Sequence, residues 1–85
     1  MTKFYKIWHN QNMKILRINI GLTQKQLGQR VGVSQVYISK IENGDIDGLT
    51  VAKIIKLSKV LNVSPTELFD KLIDRKYERR LKLWQ

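Results

Sequence analysis

Apolar residues recur along this chain at helical spacing. Tyr5, Trp8 and Asn12 share one helical face, which Ile15, Leu16 and Ile20 continue. That spacing predicts a first helix from near Lys6 to near Asn19, ahead of Gly21. Phe4 and Trp8 read as core or interface side chains, and His9, with no second ligand or nucleophile beside it, as a surface histidine. Leu27 and Val31 follow at i,i+4, then Ile38 and Ile41 at i,i+3, each pair marking the buried side of a short helix. Val51, Ile54, Ile55, Ser58 and Leu61 form the expected core stripe of the next helix, with Lys53, Lys56 and Lys59 on its solvated side. Leu57 and Val60 widen that stripe beyond what one core needs. Leu68, Phe69, Leu72, Ile73, Tyr77, Leu81 and Trp84 predict a final helix running to the C-terminus. Its other side is charged, with Lys71, Arg75, Lys76, Arg79, Arg80 and Lys82 set against Asp70, Asp74 and Glu78.

Polar residues punctuate the pattern where helices must begin and end. Thr23 with Gln26 three residues on has capping-box spacing, Ser34 and Thr50 are N-caps, and Ser64-Pro65-Thr66-Glu67 starts the last helix. Gly32 can stop the Thr23 helix in the left-handed conformation, and Glu42-Asn43-Gly44 closes the next one. Gly28 lies mid-helix, where propensity favours Ala, so another helix is expected to cross close to it. Residues 23–44 therefore read as a helix-turn-helix, with 34–43 as the second helix. That helix turns Gln35, Val36, Ser39, Lys40 and Asn43 away from Ile38 and Ile41. Amides, a hydroxyl and an ammonium on one face suit hydrogen bonding to base edges.

With its flanks, the stretch resembles the lambda-repressor-like, xenobiotic-response-element type helix-turn-helix family of DNA-binding regulators. The resemblance rests on Leu16-Arg17, Gly21-Leu22-Thr23-Gln24, Leu27, Val31-Gly32-Val33-Ser34, Ile38, Ile41, Glu42-Asn43-Gly44 and Leu61-Asn62-Val63-Ser64, and it covers roughly residues 10–69. It implies an all-α fold, a compact five-helix DNA-binding domain over 1–69, while the apolar spacing carries the last helix on through 70–85, beyond the usual end of the family's core, as an extension that could serve dimerisation. It also implies that Arg17 pairs with Glu42 inside the domain, which assigns Arg17 to structure instead of DNA contact. Asp45 and Asp47 stand in the loop where members of the family often carry basic residues or Pro.

Charge sharpens the functional expectation. The 85 residues carry 16 Lys and Arg against 7 Asp and Glu, a net charge of +9 that favours a polyanionic partner. Residues 1–41 hold seven of the bases and no acid, so the positive field centres on the motif. With no cysteine, one histidine and no clustered carboxylates, neither a catalytic constellation nor a metal or cofactor site can be assembled, and an enzyme is not expected. The chain is too short for two independent cores, shows neither signal peptide nor membrane span, and fits a cytoplasmic location.

The expected function is a sequence-specific DNA-binding regulator, a repressor or autoregulator. Gln35 can bridge adenine N6 and N7, Val36 can pack a thymine methyl, and Ser39 and Lys40 can reach further bases. Gln24, Ser34 and Asn43 are the expected phosphate contacts. One recognition helix touches few base pairs, so a homodimer on an inverted-repeat operator is expected. Leu57, Val60, Ile73, Tyr77, Leu81 and Trp84 are its candidate interface, against the alternative that the terminal helix folds back on its own chain. The competing function is an antitoxin-like module that binds a partner protein and its own operator. Asp47-Gly48-Leu49-Thr50 resembles some such relatives.

Overall fold

A computed structural model describes residues 12–84, with side chains through Tyr77. Five helices account for these residues, and among them there is no strand: α1 Met13–Asn19, α2 Gln24–Val31, α3 Gln35–Glu42, α4 Val51–Leu61 and α5 Pro65–Trp84. Each start is made by a short polar side chain. Asn12 Oδ1 accepts from Ile15 N, Ser34 Oγ from Tyr37 N, Thr50 Oγ1 from Lys53 N and Ser64 Oγ from Glu67 N. At α2 the capping box is complete: Thr23 Oγ1 accepts from Gln26 N at 3.0 Å while Thr23 N donates to Gln26 Oε1 at 2.9 Å.

The helices fold on one apolar core. Met13 of α1, Leu27 and Val31 of α2, and Ile38 and Ile41 of α3 meet Ile54, Leu57 and Leu61 of α4 and Leu68 and Leu72 of α5. α2 packs on both α3 and α4, while α5 lies along α4 and reaches α1 and α3. Gly28 makes the α2–turn–α3 approach possible. A Cβ there would stand 2.6 Å from the Val33 carbonyl oxygen, so backbone occupies the space where Ala would place its methyl. The close neighbour is the turn into α3, Val33 and Ser34, and not a crossing helix as the sequence suggests, because the tight turn folds its own backbone back onto α2.

Several expectations need correction. The first helix does not run unbroken from Lys6, because Asn12 is extended and caps a helix that begins at Met13. Tyr5, Trp8, Phe4 and His9 lie outside the described residues. The buried stripe of α4 is Ile54, Leu57, Ser58 and Leu61, at i,i+3,i+4,i+7. Leu57, taken as surplus apolar surface for a dimer, is 1% exposed and central to the core, whereas Val51, taken as core, is 72% exposed, and Ile55 is also exposed. The physical reason is rotational: apolar residues occupy most of this helix's circumference, and only the packing of α2 and α5 decides which side is inside. Ser58 is tolerated there because its hydroxyl donates to the Ile55 carbonyl at 2.7 Å.

On α5, Lys71 is not on a solvated face but 6% exposed, next to core residue Leu72, so the domain interior continues past residue 69. Long aliphatic stems make such burial affordable. Ile73 and Tyr77 remain exposed and Val60 is half-buried against the core, while the side chains of Leu81 and Trp84 lie outside the described set.

Candidate nucleic-acid interface

The outward face of α3 is free of the core. Ile38 and Ile41 are buried, and Gln35, Val36 and Lys40 project into solvent, with Val36 65% exposed and Ser39 half-buried. An exposed valine between two long polar side chains forms a surface that can meet a methyl group and base-edge acceptors together. Gln35 also lines a shallow groove between α1 and α2, shared with Lys14, Gly21, Thr23, Gln24 and Lys25. Lys14 and Lys25 are exposed there. They were not singled out in the sequence, where their only signal was the acid-free N-terminal half.

Behind this face, one residue gathers the domain. Arg17 Nε donates to Glu42 Oε2 at 2.6 Å, and Nη2 donates to Oε1 at 3.2 Å. Arg17 Nη1 donates to the Leu22 carbonyl at 2.7 Å, so the fork also holds the α1–α2 turn. Both partners are buried, Arg17 at 7% exposure and Glu42 at 6%. A planar guanidinium suits this bidentate geometry in a way that an ammonium cannot. Gln24 Nε2 adds a third donor, at 3.1 Å from Glu42 Oε1. The last residue of α3 is thereby fixed to α1 and to the first residue of α2.

The expected phosphate contacts stand differently. Gln24 is half-buried, with one amide hydrogen committed to Glu42 and a second left over. Ser34 is exposed, and its oxygen accepts from Tyr37 N, which leaves the hydroxyl hydrogen able to donate. Asn43 is exposed, but its amide bends back to donate to the Ser39 carbonyl at 3.0 Å. Tyr37, which the sequence reading passed over, ties α3 to its surroundings: its ring lies 5.6 Å under Lys53 Nζ of α4, and its hydroxyl reaches the Gly48 carbonyl at 3.4 Å. In the loop, Asp47 forms an ion pair with Lys76 of α5.

A family model described as helix-turn-helix matches residues 13–68, more than half of the chain. No solved structure matches it. Among the described residues no helix is long and apolar enough to cross a membrane, and no three acidic, His or Cys side chains cluster to hold a metal ion.

Proposed function

We infer the function from membership: this chain belongs to the lambda-repressor-like helix-turn-helix family of DNA-binding regulators. Our proposal is that it acts in the cytoplasm as a repressor or autoregulator, with α3 in the major groove of a specific operator. The observation that carries this is the division of α3 itself: Ile38 and Ile41 sealed in the core, and Gln35, Val36 and Lys40 exposed on the acid-poor half of a chain of net charge +9. Gln35 bridges an adenine, Val36 covers a thymine methyl, Lys40 takes a guanine and Ser39 a neighbouring base. Ser34 and the free hydrogens of Gln24 and Asn43 donate to phosphates, and Lys14 and Lys25 flank the duplex backbone.

Two copies read an inverted repeat, with half-site centres about 34–36 Å apart or a multiple of it. Support for a dimer comes from a continuous exposed apolar stripe on α5, Phe69, Ile73 and Tyr77 at i,i+4,i+8, meeting Val51 and Ile55 of α4 at one end. These side chains replace Leu57 as the proposed interface. A foreign protein on the same stripe is the antitoxin-like alternative; native mass measurement of the complex separates the two, a second copy supporting the dimer and a different small protein overturning it.

Selection of bound duplexes from a random pool, at low and at moderate salt, tests the whole proposal. One enriched inverted repeat is expected, with affinity falling steeply as salt rises. A pool that stays flat refutes it.

A further inference from the structure

The helix beyond the family match closes back on the recognition helix. An α-helix ends with four carbonyls that lack helical partners. In α3 these belong to Ser39, Lys40, Ile41 and Glu42. Ser39 O accepts from Asn43 N at 3.1 Å, Lys40 O from Asp45 N at 2.9 Å and Ile41 O from Gly44 N at 3.0 Å. The fourth is satisfied from elsewhere in the chain: Arg75 Nε of α5 donates to Glu42 O at 3.1 Å. A cation at a helix C-terminus is also favoured by the helix dipole.

Two further contacts hold α5 at this spot. Gly44 is buried at φ +91°, and a Cβ on it would stand 3.1 Å from the Arg75 carbonyl oxygen, so the α5 backbone passes directly over the turn that ends α3. One residue on, Lys76 pairs with Asp47 of the following loop. Glu42 is thus gripped through its carboxylate by Arg17 and Gln24 and through its carbonyl by Arg75. Arg75 and Lys76 lie outside the matched residues 13–68.

The geometry points to Arg75 as a positioning residue for sequence recognition, a role that rests on the proposal that α3 reads DNA. The bond from Arg75 goes to the backbone at the end of α3, at Glu42 O. It sets the tilt and depth at which the C-terminal half of α3, with Ser39 and Lys40, meets the groove. Base contacts depend on that pose to within fractions of an ångström, whereas phosphate attraction does not, so losing the clamp lowers selectivity and spares general affinity.

Two substitutions that match the arginine stem isolate the bond from the charge. Arg75→Met places a methyl where Nε stood, and Arg75→Gln places an amide nitrogen there without the positive charge. Binding of the full chain is measured on a duplex selected from a random pool and on a scrambled duplex of equal length, with circular dichroism confirming that each variant is folded at the assay temperature. Arg75→Met is expected to lose about tenfold on the selected duplex and no more than about twofold on the scrambled one. Arg75→Gln is expected to recover most of that selectivity. Equal losses on both duplexes, or a Gln variant as unselective as Met, would identify Arg75 as a phosphate contact and overturn the inference. An unchanged selectivity ratio overturns it as well. Should Arg75→Met not be folded, the Gln variant decides alone: retained selectivity supports the bond to Glu42 O, and lost selectivity overturns the inference. If the wild-type chain enriches no sequence, the DNA proposal itself fails, and that outcome is visible before any variant is made.

Discussion

Replacing Arg17 by Ala removes more than an ion pair. Three donor contacts disappear, to Glu42 Oε2, Glu42 Oε1 and the Leu22 carbonyl, and the Glu42 carboxylate stays buried with Gln24 as its remaining donor among those described. The Arg17 and Glu42 side chains are 9% and 4% exposed, so water does not readily take the lost partner's place. Stranding one member of a buried pair costs roughly 3–5 kcal/mol. A domain of this size has a total stability of only about 0.05–0.15 kcal/mol per residue, so roughly a quarter or more of it is lost. At about 4–8 °C per kcal/mol, the melting temperature should fall by roughly 12–40 °C. Thermal melts followed by circular dichroism measure this directly. The double variant Arg17→Met with Glu42→Leu, which removes both charges and keeps volume, should recover more than half of the loss. An Arg17→Ala protein that melts within a few degrees of wild type and yet no longer binds DNA would refute the structural assignment and make Arg17 a contact residue.

Other outcomes follow from packing. Leu57→Ala should cost about 2–5 kcal/mol in denaturant unfolding, while Val51→Ala, on the same helix, should stay within about 0.5 kcal/mol. Gly28→Ala should destabilise by about 1–3 kcal/mol, despite the better helix propensity of Ala, because the methyl meets the Val33 carbonyl. Phe69→Glu combined with Ile73→Glu should convert the proposed dimer to a folded monomer in sedimentation, with a melting temperature that is lower and no longer dependent on protein concentration. A dimer that survives both charges would move the interface elsewhere.

Local chemistry was the most legible part of this chain. Thr23, Ser34, Thr50 and Ser64 announce helix starts because a short side-chain oxygen can satisfy an amide three residues on, a relation contained within four residues of sequence. Gly28 was legible as a close approach, although only the structure identifies the Val33 backbone as the neighbour. The Arg17–Glu42 contact spans 25 residues and was expected from the family resemblance alone, since nothing local links the two. The rotation of α4 was not legible. Val51, Ile55, Leu57 and Val60 differ in burial for reasons of tertiary packing that their own spacing does not contain. Lys71 and Arg75 were hidden by their chemistry: basic residues on a charged helix face read as solvated until a partner is brought to them from 33 residues away, as with Arg75 and Glu42.

The central claim, that α3 reads bases, is tested most directly at Gln35. Affinities of wild type and Gln35→Ala are compared on the duplex selected from the random pool and on its scrambled counterpart, at matched salt. Loss of one bidentate contact to adenine should cost about 1–3 kcal/mol on the selected duplex and relax preference at a single base position, with little change on the scrambled one. Equal losses on both duplexes, or no loss on either, would contradict it.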